Sequence, residues 1–230
     1  PCKFSTCIIP FNLSNIFQPA ICWTVVTTGR NGFRLHSDGF IFDAAAGLCQ
    51  PKTDVEIEYL LGLLNSKITE TALPLINPTI NLHPGYLSSL PGLAVRQIDQ
   101  VRSLHDLAKS DWDAYETSWD FTTLPLLSPD HRVGTLEATY ARLRAHWQGM
   151  AAEMQRLEEE NNRIFIDAYG LQDELTPEVE DKDVTVRLAD LKRDIRSLIS
   201  YAVGCMFGRY SLDVEGLSYA GGKWPPVGNS

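Results

Sequence analysis

The sequence predicts an α+β protein, an N-terminal mixed β/α domain followed by a long antiparallel helical hairpin. Three observations carry that reading. Residues 1–52 are rich in β-branched and aromatic side chains punctuated by turn formers. Residues 54–71 switch to helical spacing. After residue 135, two apolar seams repeat in steps of four and three. The implied divisions are a β/α domain over 1–92, an amphipathic helix and proline-containing connector over 93–134, a coiled-coil-like helical hairpin over 135–220, and a flexible tail over 221–230.

In the first division, "CIIPF" (7–11), "CWTVVTT" (22–28) and "GFIFDAAAG" (39–47) read as strands. Turn signals at Arg30-Asn31-Gly32 and Ser37-Asp38-Gly39 make a hairpin or meander with a polar, basic tip. Val55, Tyr59, Leu60, Leu63 and Leu64 then recur at helical spacing, with Asp54 as the cap. Pro74 and Pro78 are expected to end helical structure, and Thr79 to Leu82 alternates as a short half-buried strand does. A second amphipathic helix runs from Val95 to Tyr115.

The strongest local signal follows. Leu136, Tyr140, Leu143, Trp147, Met150, Met154, Leu157, Asn161, Ile164, Ala168 and Leu171 keep the 4-3 rhythm throughout, broken in polarity only by Asn161. Such a helix is about 50 Å long at 1.5 Å per residue. Val184, Leu188, Leu191, Ile195, Leu198, Ala202 and Cys205 repeat the rhythm after a short acidic connector, so the two seams are expected to pair antiparallel.

Composition narrows the function. The 230 residues carry a net charge of −9, which argues against a generally basic nucleic-acid binder. The charge is segregated, however. Residues 1–52 carry Lys3, Arg30, Arg34 and Lys52 against Asp38 and Asp43, whereas 111–180 is strongly acidic. No apolar run approaches the roughly 18 residues of a membrane span. A chain that opens on Pro, without a basic and then apolar leader, reads as a piece of a longer cytoplasmic protein. The five cysteines, Cys2, Cys7, Cys22, Cys49 and Cys205, form no C-x-x-C and suggest reduced thiols rather than a disulfide framework or a zinc site.

Enzyme motifs are scarce. There is no G-x-S-x-G, P-loop or G-x-G-x-x-G, and "AGGK" (220–223) lacks the rest of a phosphate loop. Asp111, Asp113 and the Glu158 to Glu160 run read as solvated helix carboxylates, and Gly204-x-x-x-Gly208 as a helix end. Asn77-Pro78-Thr79 misses the N-P-P-[YFW] of amino-methylating enzymes at its third position. What remains is the hairpin tip, with Arg30, Asn31, Arg34 and His36, and the "NPTINLHPG" segment, with Thr79, Asn81 and His83. These residue types suit phosphates and base edges, since Arg pairs with guanine and Asn with adenine. A solvated hairpin is the plain alternative.

The blocks "GFRLHSDGFIFDAAAG", "IEYLLGLLNSKI" and "NPTINLHPGYLSSLPG" resemble the C-terminal target-recognition region of large adenine-specific DNA methyltransferases and of Type I specificity subunits. "WQGMAAEMQRLEEENNRIFIDAYGLQDELTPEV" and "IRSLISYAVGCMFGRYSLDVEGLSYA" resemble the C-terminal part of the methyltransferase of BREX phage-exclusion systems, the PglX family. The likeness covers roughly residues 23–220. It implies a target-recognition-like first domain, double-stranded DNA as a partner and Arg30, Asn31, Arg34, His36, Lys67, Thr79, Asn81 and His83 as its contacts. It implies no catalytic residue, metal or cofactor within this chain. The methyl-donor glycine motif and N-P-P-[YFW] are absent, so S-adenosylmethionine would belong to a catalytic methyltransferase domain elsewhere, with other phage-defence proteins as further partners. The competing expectation is a protein–protein interaction or scaffold module built on the helical hairpin, without direct DNA contact.

Overall fold

The computed structural model describes residues 2–3, 17–43, 45–51, 56–93 and 99–218. The expected strand at 7–11, the Asp54 cap, residues 94–98 and the tail from 219 lie outside the described residues. The chain divides into two compact units, Pro1–His105 with Arg156–Asp181, and Asp106–Gln155 with Lys182–Ser230.

The first unit holds the sheet. Strands β2 (Ala20–Thr24), β3 (Arg34–His36) and β4 (Ala46–Cys49) form an antiparallel sheet in the order β3-β2-β4. A separate two-residue pairing joins β1 (Cys2–Lys3) to β5 (Pro91–Gly92). Alternation along the strands sends Ile21, Trp23 and Cys49 into the core, and Leu35 packs against it. The opposite face carries Cys22 across from Arg34, and Ala20 across from His36. Gly47 lies opposite Trp23, and a Cβ there would sit 2.2 Å from the indole. Only glycine leaves room for that ring.

Helices α1 (Ile57–Leu64) and α2 (Lys67–Ile76) replace the single helix expected over 54–71. The apolar period runs unbroken through Leu63 and Leu64. The interruption comes at Asn65 and Ser66, whose side chains bond backbone at Phe33 O and Leu63 O. Pro74 does not end the helix. It occupies the last turn of α2, where its missing N–H leaves a single carbonyl without a helical donor, and Asn77 N closes the end on Leu73 O at 2.8 Å. Thr79 to Leu82 is not a strand of its own; it joins Val26 through one isolated bridge at Asn81. The four-residue α3 (Pro84–Leu87) follows.

Helix α4 (Asp99–Asp113) and the 34-residue α5 (Leu136–Tyr169) contribute to both units. The 4-3 seam of α5 is buried at Leu143, Trp147, Met154, Leu157 and Asn161. Beyond Asn161 the buried face becomes Asn162, Phe165 and Ile166, while Ala168 is exposed. The reason is the neighbour: in the first unit Phe165 and Ile166 pack with Tyr59, Leu63 and Ile68, a broader surface than a two-helix seam presents. Asn161 donates its Nδ2 to Gly62 O of α1 at 2.9 Å, so the polar break in the seam keys α5 to α1.

In the second unit, Leu143 and Trp147 cluster with Leu126, and Leu198 of α6 (Leu191–Met206) packs against them. Phe121, Leu124, Tyr201 and Tyr210 form a neighbouring cluster. Helix α6 starts seven residues later than its apolar seam, and Leu188 and Leu191 are exposed rather than paired. Asp190 caps it, accepting from Arg193 N at 2.8 Å. Gly208, at φ +75°, closes it; Arg209 N reaches back to Gly204 O and Gly208 N to Cys205 O, the double closure typical of a left-handed glycine cap. Asp111, read as a solvated carboxylate, is buried: Arg187 Nε donates to it at 3.0 Å, and that guanidinium lies 3.7 Å from the Tyr115 ring centroid.

Candidate nucleic-acid interface

The break between α1 and α2 organises the loop joining β2 to β3. Asn65 occupies the C-cap of α1, and its carboxamide leaves the helix to grip Phe33 on both sides. Nδ2 donates to Phe33 O at 2.9 Å, and Phe33 N donates to Oδ1 at 3.1 Å. The hydroxyls of Ser66 and Thr69 both donate to Leu63 O at 2.7 Å, joining Ser66 N, which donates to it at 3.0 Å. Lys67 N donates to Asn162 Oδ1 of α5 at 2.9 Å. The "NSK" patch is therefore a clamp inside the first unit.

A second clamp fixes the proline-fenced segment. Asn77 Oδ1 accepts from Thr79 N at 3.2 Å and Thr79 Oγ1 at 2.7 Å, while its Nδ2 donates to Asn81 O at 2.9 Å. The segment is laid along the chain leaving β2 by Thr27 N to Ile80 O, 3.1 Å, and Leu82 N to Val25 O, 2.7 Å. Trp23 Nε1 donates to Leu82 O at 2.8 Å from the core side.

Between the two clamps opens a cleft of about 550 Å³, lined by Thr28, Arg30, Asn31, Ser66, Glu70 and Thr79 among others. The Glu70 carboxylate lies 3.2 Å from Lys67 Nζ and 3.6 Å from the Arg30 guanidinium. All three side chains are partly exposed, and such pairs are worth at most about 1 kcal/mol. Two cations therefore share one carboxylate, and Arg30 can exchange it for a phosphate or a base edge at little cost. Asn31 Oδ1 is buried in the cleft wall without a hydrogen-bond partner among the described residues.

Of the eight residues singled out from sequence, the structure gathers Arg30, Asn31 and Thr79 at this cleft, with Lys67 joined to it through Glu70. Thr79 spends its hydroxyl on Asn77. Arg34 and His36 do not line the cleft; they lie on the face of the sheet opposite the core. The His36 ring meets Phe40 and Phe42 edge-on, with centroids 5.2 Å away. Burial, then Arg34 and His105, hold its pKa below the ordinary histidine value, favouring the neutral ring. Asn81 and His83 are exposed outside the cleft. Sequence reasoning saw the Asn65-Ser66 patch as a helix end but did not foresee that Asn65 and Asn77 clamp loops, nor the place of Glu70. Their one signal is a polar residue immediately after an apolar helical run.

No family model matches the chain. Two curated proteins do. An adenine-specific methyltransferase PglX of Lacticaseibacillus casei (strain Zhang) is 42% identical over 215 residues, covering 90% of this chain and 18% of that protein. An adenine-specific methyltransferase BrxX of Escherichia coli O9:H4 (strain HS) is 30% identical over 227 residues, covering 91% and 19%. The chain thus spans about a fifth of the length of the relatives it matches.

Proposed function

This chain corresponds to a partial region of the PglX family of adenine-specific methyltransferases, and from that premise we propose that it is the DNA target-recognition region of such an enzyme, acting in BREX-like phage defence in the cytoplasm. The observation that carries the proposal is the clamped polar cleft. Two loops of different sequence distance are held on one frame, and they present Arg30, Asn31 and Thr79 together. The catalytic domain, with its S-adenosylmethionine, lies outside these residues. It would flip the adenine while this region fixes register on the duplex. Arg30 and Asn31 are the base-reading candidates. Arg34, His36, Lys67, Asn81 and His83 are the candidates for phosphate contact.

The test is made in the full-length methyltransferase. Arg30→Ala should weaken binding to the cognate duplex by about 1–3 kcal/mol and relax discrimination if it reads a base. Arg34→Ala should instead weaken all duplexes alike and lower the salt slope by about one unit. Unchanged affinity and unchanged salt slope in the double variant would refute both roles. A second reading, an interaction module without DNA contact, draws support from the exposed apolar residues of α6. It requires that cleft substitutions leave duplex binding untouched at every salt concentration.

A further inference from the structure

Helix α6 presents a second surface that the cleft does not explain. Its inward face carries Asp194, Leu198, Tyr201 and Gly204. On the outward face, Lys192, Arg196, Ile199, Val203 and Met206 follow one another in steps of four and three, with Phe207 beside the last. Ile199 is 59% exposed, Val203 44%, Met206 83% and Phe207 79%. A contiguous apolar run of this kind marks an interface rather than ordinary surface. The stripe is headed by two cations. They sit in the first turns of the helix, where the backbone dipole disfavours positive charge. Asp194 neutralises Arg193 at 2.9 Å, and Lys192 lies close enough to the Asp190 carboxylate for its charge to lower that group's pKa, whereas among the described residues no ion pair joins Arg196 to a carboxylate. Arg196 is left uncompensated within the helix and suits an acidic side chain opposite it.

We propose that this outward stripe of α6 is the seat of a helix from the remaining four-fifths of the methyltransferase polypeptide. That helix carries an apolar stripe against Ile199, Val203, Met206 and Phe207, and carboxylates against Lys192 and Arg196. Three features define the occupant. The 4-3 spacing is the one a second helix interlocks with. The cationic head calls for acidic residues at one end only. The relatives, of which this chain spans 18% and 19%, supply an abundance of further chain in cis. The inference rests on the reading of this chain as one region of a longer methyltransferase.

Met206 is the probe. In the full-length enzyme, methionine oxidation by dilute hydrogen peroxide is followed residue by residue by mass spectrometry, with Met154, 2% exposed, as the buried reference. Docking predicts that Met206 oxidises at least about tenfold more slowly than in the unfolded chain, a protection that needs only ~1.4 kcal/mol of docking free energy. The protection should be the same at all enzyme concentrations and with or without duplex. Val203→Asp should abolish it while Met154 stays protected, which separates undocking from unfolding. Oxidation of Met206 at the unfolded rate overturns the proposal. So does protection that vanishes on dilution, which would mean a second copy, or protection that appears only with duplex, which would mean phosphates on Lys192 and Arg196. Duplex binding is measured on the same samples. An enzyme that discriminates its site with Met206 unprotected overturns the docking alone, and one with Met206 protected but no duplex binding overturns the recognition reading alone.

Discussion

Replacing Asn65 by Ala tests the frame of the cleft without touching any residue proposed to meet DNA. The substitution removes both bonds to Phe33 and the Nδ2 contact to Leu61 O. Leu61 O keeps Asn65 N as a donor, so its loss is minor. Phe33 is the residue that suffers: it is buried, and its main-chain N–H and C=O both lose their Asn65 partner. Each such bond contributes about 1 kcal/mol net, and more where a buried group is left unsatisfied, so the expected loss is roughly 2–3 kcal/mol. In a chain of this size that lowers Tm by roughly 4–12 °C. The α1 C-cap geometry, φ −94° and ψ 5°, is open to Ala, so no backbone strain confuses the result. Asn31→Ala is the control. It lies in the same cleft, its Oδ1 is unpartnered, and its removal should cost under about 0.5 kcal/mol. The assay is urea unfolding together with amide exchange at Phe33. A loss below about 0.5 kcal/mol for Asn65→Ala, with Phe33 exchange unchanged, would refute the clamp.

Two further outcomes follow from the sheet. Gly47→Ala forces a Cβ against an indole that Leu82 O holds at 2.8 Å, so it should destabilise by about 2–3 kcal/mol in the same unfolding assay and shift Trp23 emission. Burial pushes the Cys22 thiol up to about 11, with Arg34 pulling the other way. A folded pKa above the unfolded one contributes stability that is complete below the unfolded value and lost as pH rises through the folded one, so the protein should weaken progressively between about pH 9 and 11 and Cys22 should resist iodoacetamide at pH 8. Cys22→Ala should flatten that alkaline limb, and an undiminished limb in the variant would dismiss Cys22 as its source.

What was legible in the sequence is what local pattern controls. Helix α5 ends within two residues of the last 4-3 position, because a long amphipathic period leaves little freedom. The turns that bracket β3 were readable from Asn, Asp and Gly. The Asn65-Ser66 patch marked the end of the Leu-rich helix, but did not show that Asn65 would grip Phe33, 32 residues earlier. The shift of the buried face of α5 after Asn161 was hidden for the same reason. Periodicity reports that a face is apolar but not which neighbour covers it, and α1 rather than α6 meets that stretch. In the candidate site, residue type identified Arg30, Asn31 and Thr79 as members. It could not foresee that Arg34 and His36 would fall on the other face of the sheet, a matter of strand register.

The two asparagine clamps hold their loops largely by main-chain atoms: the N–H and C=O of Phe33, the N–H of Thr79 and the C=O of Asn81. Every residue type except proline offers those atoms. Positions 30, 31 and 81 can therefore exchange side chains while the loops keep their path, much as a lock can be re-pinned without recutting its barrel. On the proposed reading of the cleft as a DNA contact, such a region can drift from one target to another by single substitutions, each passing through a folded protein.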